Sequence, residues 1–124
     1  MNVTTVILTE RAKSLGLPIA KNAFEGTLEN PVPDLPYLVY LIPRATGCGA
    51  DCINNLVSED WSLELYTVAD DEAAEQIMTR IEGEILFDVD YEKYKVYIED
   101  EECFQTAYEV KGLLRKVKGA KKHE

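Results

Sequence analysis

Three cysteines and one histidine are the residues of this chain best suited to nucleophilic or metal chemistry, and their spacing decides how far either can go. Cys48 and Cys52 stand four apart around the glycine-punctuated run Thr46-Gly47-Cys48-Gly49-Ala50-Asp51, a separation at which two thiolates can supply half of a tetrahedral zinc site. The other half would have to come from Cys103 and His123, which form no second close pair in the sequence, whereas structural zinc sites present two tight pairs. Two unlinked thiols in a loop is the plainer reading, and no metal or cofactor is expected. A Ser-His-Asp or Cys-His machine needs an imidazole held rigidly against its nucleophile, yet the single histidine, His123, is the penultimate residue. Neither kind of glycine-rich phosphate loop is present, because no glycine pair brackets a Lys-Ser/Thr or a strand–helix junction at the required spacing.

Carboxylates are the remaining reactive groups. The neighbours Asp70-Asp71 and Glu101-Glu102 are of the right type for general acid–base work or calcium, but adjacent acids at a helix start or turn ordinarily cap or stay solvated. The chain is therefore not expected to be an enzyme. The seven tyrosines and Trp61 fall mainly at strand positions, where core or subunit-interface roles are the expectation.

With 124 residues, 46% of them apolar, the chain can bury one ordinary core. The longest apolar run, Tyr37 to Ile42, is far short of the roughly 20 residues a membrane-spanning helix needs. The N-terminus lacks a basic region and cleavage site of a secretory signal, and three cysteines do not suggest a disulfide framework, so an intracellular protein with reduced thiols is expected. Thirteen Lys+Arg against 23 Asp+Glu give a net charge of -10, which favours solubility and repels nucleic acid. The imbalance is concentrated. Glu59 to Glu109 carries 17 acids against Arg80, Lys93 and Lys95, while Lys111 to Lys122 carries six bases and no acid. One α+β domain over residues 1–112 is expected, followed by a basic, flexible tail over 113–124 that is more often solvated than bound to a partner.

Positioning elements follow from periodicity. Met1, Thr5, Leu8, Ala12 and Leu15 recur at helical spacing, and Gly16 with Pro18 supplies a stop, predicting a helix near 3–15. Ile19 to Phe24 reads as a short edge strand, and Glu29 to Pro36 as an extended proline-rich loop. Tyr37 to Ile42 is apolar on both alternating faces, the pattern of a central strand, with Pro43 as its end. Trp61, Leu63, Leu65 and Thr67 alternate with Ser62, Glu64 and Tyr66, predicting a strand with one face inward. Asp70 or Asp71 can cap a second helix with Glu72 and Glu75 in its first turn and a stripe of Ala74, Ile77, Met78, Ile81 and Ile85. Two strands near Asp88–Ile98 and Cys103–Val110 should pair as a hairpin about Glu99-Asp100-Glu101-Glu102, with Phe104, Thr106, Tyr108 and Val110 on one face. The sum is an α+β fold, a mostly antiparallel four- to five-stranded sheet with two helices packed on one face.

Several strings in this order resemble a family of small phage and prophage tail proteins, the tail-completion or head–tail joining proteins of long-tailed phages of Gram-positive bacteria. They are Pro36-Tyr37-Leu38-Val39-Tyr40, Gly49-Ala50-Asp51, Leu63-Glu64-Leu65-Tyr66-Thr67, the acidic helix with Glu75 and Ile81, and Tyr97-Ile98-Glu99-Asp100-Glu101 followed by Phe104 to Glu109. Together they span roughly residues 5–110. The resemblance implies a tail-terminator type of fold and a virion subunit, made in the bacterial host cytoplasm, that forms a hexameric ring. Such a ring ends the tail tube, contacts the major tail protein and the head connector, and lets DNA pass without binding it. Cys48, Cys52 and the basic stretch after Val110 are not features of that family. An acidic body is compatible with a ring that does not grip DNA, and Tyr97 with the carboxylates of Glu99, Asp100, Glu101 and Glu102 is expected to face the lumen or a neighbouring subunit. Two other readings use the same residues: a monomeric acidic binding module or DNA-mimic inhibitor, and a small zinc module built on the cysteine loop.

Overall fold

The computed structural model describes residues 2–47 and 56–116. Its elements run α1 (Thr5–Lys13), β1 (Ile19–Lys21), β2 (Tyr37–Gly47), β3 (Leu56–Thr67), α2 (Glu72–Arg80), a π-helical turn (Ile81–Ile85), β4 (Glu92–Ile98) and β5 (Cys103–Lys116). Cys48, Cys52 and His123 lie outside the described residues. The fold is α+β: one five-stranded sheet in the order β1-β2-β3-β5-β4, antiparallel except for the β1–β2 pair, with two helices.

Both helices cover the same face of the sheet. Strand alternation puts Leu38, Leu65 and Thr106 in one cross-strand row and Tyr40, Leu63 and Tyr108 in the next. Leu8 and Ala12 of α1 and Ala74 and Met78 of α2 close over these rows in one buried cluster. Each large aliphatic side chain so enclosed contributes roughly 1.5–3 kcal/mol. Trp61, fully buried beneath α1, donates its indole N–H to the Thr9 hydroxyl at 3.0 Å, which satisfies the one polar atom it takes into the core.

The helix ends explain themselves. The Thr4 hydroxyl accepts the Ile7 N–H at 3.3 Å and starts α1; Gly16, at φ +93°, turns the chain away after it, a conformation that glycine adopts without strain. Asp71, rather than Asp70, caps α2 by accepting the Ala74 N–H at 3.0 Å. Asp70 instead receives the Lys95 ammonium at 2.9 Å. Past Arg80 the helix widens to a π turn, with the Leu86 N–H on the Ile81 carbonyl at 3.1 Å. The wider turn lets Ile81, Ile85 and Leu86 all reach the core, where a regular α-helix would have carried one of them off the face.

Strand boundaries differ from the sequence reading: β1 stops at Lys21 rather than Phe24, β3 starts at Leu56 ahead of the Trp61 alternation, β4 starts at Glu92 rather than Asp88, and β2 and β5 both run further than expected. Pro43 does not end β2: Ile42 and Pro43 together oppose Trp61 in a bulge, and pairing resumes from Arg44 to Gly47. A bulge accommodates proline because the residue need not donate to the ladder there. β5 likewise continues past Val110 to Lys116. Lys111 and Gly112 bulge opposite Asp60, Gly112 adopts φ +71°, and its N–H donates to the Asp60 carboxylate at 3.0 Å. The sheet therefore extends four residues beyond the boundary at 112 drawn from charge, with Leu113 buried. Both bulges fall at the same height, across Asp60-Trp61.

Candidate functional site

The sheet's second face carries no helix. Its rows are Tyr37, Tyr66 and Gln105, then Val39, Glu64 and Ala107, with Val96 and Tyr94 continuing them on β4. At the β1–β2 side this face is roofed by the segment 22–34. Phe24 stands edge-on to Tyr37 with ring centroids 4.8 Å apart. Gly26 lets the roof fold back on itself, since a Cβ there would lie 2.9 Å from the Val32 backbone nitrogen.

Between roof and sheet lies a cavity of about 380 Å³, lined by Asn22, Phe24, Val32, Tyr37, Tyr66 and Glu101 among others. The Tyr37 and Tyr66 rings sit 5.3 Å apart in its floor. The Tyr66 hydroxyl donates to Glu64 at 2.8 Å and accepts from Gln105 at 2.9 Å. Burial pushes the Tyr66 phenol well above its ordinary range, and burial followed by the Glu101 charge raises that of Tyr37. Both rings stay neutral at physiological pH. Burial, then Glu101, also raises the Cys103 thiol, so this buried cysteine is held as the unreactive thiol. No hydrogen bond or ion pair reaches the Glu101 carboxylate among the described residues.

Of the five residues expected at an interface, Glu99, Asp100, Glu101 and Glu102 form the tight β4–β5 turn. The Glu102 N–H returns to the Glu99 carbonyl at 3.2 Å, and Glu102 takes φ +51°. Glu101 points to the cavity, but Tyr97 does not join it. Tyr97 lies on the helix-bearing face, two residues from Lys95, against Phe104 with centroids 5.0 Å apart. The expected group is thus split across the two faces. What sequence reading missed is the roof: nothing in the run 22–34 announces that Phe24 and Val32 fold onto Tyr37.

β4 is the outer strand at the other side of the sheet, and no described strand pairs with its free edge. Tyr94 (51% exposed), Val96 (49%) and Tyr97 (49%) lie on it, with Tyr91 just before. Exposed aromatic and β-branched side chains on an unpaired edge make a surface on which another chain can add. On the same open face Glu92 and Glu109 stand directly across from each other, like charges that repel unless a cation joins them. Lys93 is turned to the other face, where its ammonium meets Glu82 at 2.7 Å.

Among the described residues no group of three or more His, Cys, Asp or Glu side chains is arranged to hold a metal, and no helix is long and apolar enough to cross a membrane. The arrangement offers surface, an aromatic cavity and uncompensated carboxylates, a set suited to holding another chain. No family model matches the chain, and no curated protein matches it.

Proposed function

We propose that this protein is a structural subunit of a phage or prophage virion, which assembles with copies of itself to complete the tail tube and join it to the head connector. The observation that carries the reading is the free β4 edge with Tyr94, Val96 and Tyr97 half exposed on it. Tyrosine-rich, partly apolar patches of this kind are what subunit interfaces bury. The α+β architecture and the acidic hairpin turn agree with the tail-completion strings in the sequence. A net charge of -10 suits a lumen that DNA traverses without adhering.

Negative-stain microscopy of the purified chain, alone and mixed with a tail-tube protein and a head-connector protein from the same gene cluster, tests the reading. Closed rings that attach to the end of the tube are expected. A chain that forms no ring and attaches to neither component, but displaces DNA from a basic protein, would overturn it in favour of the acidic inhibitor.

A further inference from the structure

The cavity under the 22–34 roof has the chemistry of a receptor for a cationic side chain. Aromatic faces attract an ammonium through their quadrupoles, and Tyr37, Tyr66 and Phe24 line this cavity with a single carboxylate, Glu101, and no basic residue. Glu101 is without an ion-pair partner among the described residues, so a cation entering here gains a counter-charge that no internal group already occupies. Its volume of about 380 Å³ lies within the range of pre-formed ligand sites. The neutral state of both tyrosines keeps the rings from adding charge of their own.

The chain itself contains a matching cation source. Lys118, Lys121 and Lys122 follow the end of β5 in the sequence. Tyr66 pairs with Gln105 near the start of β5, and β5 runs on to Lys116. At strand rise those eleven residues span on the order of 35 Å. From Lys116 the six residues to Lys122, even fully extended back along the strand, reach at most about 22 Å, and the lysine side chain roughly 6 Å more, still short of Glu101 beyond the Gln105 end. The cavity and Lys116 lie toward opposite ends of β5, so lysines beyond Lys116 reach Glu101 only in a second molecule.

We infer that the lysines of the C-terminal segment of one copy occupy the aromatic cavity of the next, with Glu101 as counter-ion. The contact is head-to-tail, so repetition closes a ring or extends a filament. It rests on the reading that copies of this chain assemble, and adds to it the element that gives the assembly its direction.

Sedimentation velocity at low ionic strength on full-length variants tests the inference. Glu101 is exposed in a turn, so E101K should fold, as Trp61 emission and thermal unfolding will verify. Either E101K alone or the triple variant K118E/K121E/K122E alone should associate at least about tenfold more weakly than the parent chain. An equimolar mixture should recover association, because each variant then supplies the charge that the other's cavity or tail requires. Parent-like assembly of either variant alone, or no recovery on mixing, overturns the inference and leaves assembly by another surface standing. A parent chain that stays single under all these conditions overturns both.

Discussion

Arg115 closes its Nε and Nη2 on the Glu59 carboxylate at 3.1 and 2.9 Å, and so pins the far end of β5 to β3. Glu59 is buried and also accepts the Thr5 hydroxyl at 2.8 Å, which ties both strands to the first turn of α1. Residues that charge alone would assign to a solvated tail thus belong to the folded body as far as this clamp.

The clamp predicts a pH signature. The Arg115 hydrogen bonds, with help from Thr5, outweigh burial and hold the Glu59 carboxyl below its ordinary range. The unfolded chain therefore takes up this proton before the folded one as pH falls. The contribution is complete above the ordinary glutamate value of 4.5 and is lost as pH drops through the folded one. Glu59→Gln should cost about 1–2 kcal/mol in urea unfolding at pH 7, since Arg115 is partly exposed and screened. The difference between variant and parent should shrink below pH 4. An equal difference at both pH values would contradict the clamp.

Trp61 is the single tryptophan and is wholly enclosed, so its emission should be blue-shifted in the folded protein and move red on unfolding. Thr9→Val removes the acceptor of its indole N–H and should lower stability by about 1–2 kcal/mol, the cost of an unsatisfied buried donor. Trp61→Ala should cost about 3–5 kcal/mol. Equal unfolding midpoints for Thr9→Val and the parent would mean that the indole finds another partner.

Two glycines should respond in opposite directions. A Cβ at Gly83, inside the π turn, meets nothing within 4 Å, so Gly83→Ala should stabilise by about 0.4–1 kcal/mol through the unfolded chain. At Gly112, φ +71° opposite Asp60 penalises any side chain, and Gly112→Ala should destabilise by about 1–2 kcal/mol. Thermal unfolding of the pair side by side reads both signs.

Gly26→Val should loosen the roof without unfolding the core, since the new side chain collides with the Val32 backbone and no core residue lies in that segment. Limited proteolysis should cut within 22–34 faster than in the parent, with the free energy of unfolding changed by less than ~1 kcal/mol. Unchanged cleavage would show that the roof adapts around the bulk.

Much of this architecture was legible in residue order because the deciding interactions are local. Asp71 caps its helix three residues away, the alternation of Trp61, Leu63, Leu65 and Thr67 settles a face by period alone, and the Glu99–Glu102 turn joins strands adjacent in sequence. What was not legible depends on register. The bulges at Pro43 and Gly112 exist only relative to Asp60-Trp61 on a partner strand. The cavity needs Phe24, Tyr37, Tyr66 and Glu101, four positions spread over most of the chain, to meet at one end of the sheet. Tyr97 and Glu101 stand four residues apart at one end of the hairpin, yet strand parity turns Tyr97 to the helix-bearing face while Glu101, in the turn, lines the cavity.

The most direct test of self-assembly compares the parent chain with Tyr94→Glu and Val96→Lys, single changes on the free edge of β4, by sedimentation velocity across protein concentrations. The parent should form a discrete oligomer, and each variant should shift toward single chains with thermal unfolding unchanged within ~0.5 kcal/mol, as befits exposed sites. A parent chain that sediments as a single copy throughout, both alone and beside tube and connector proteins, would contradict the account.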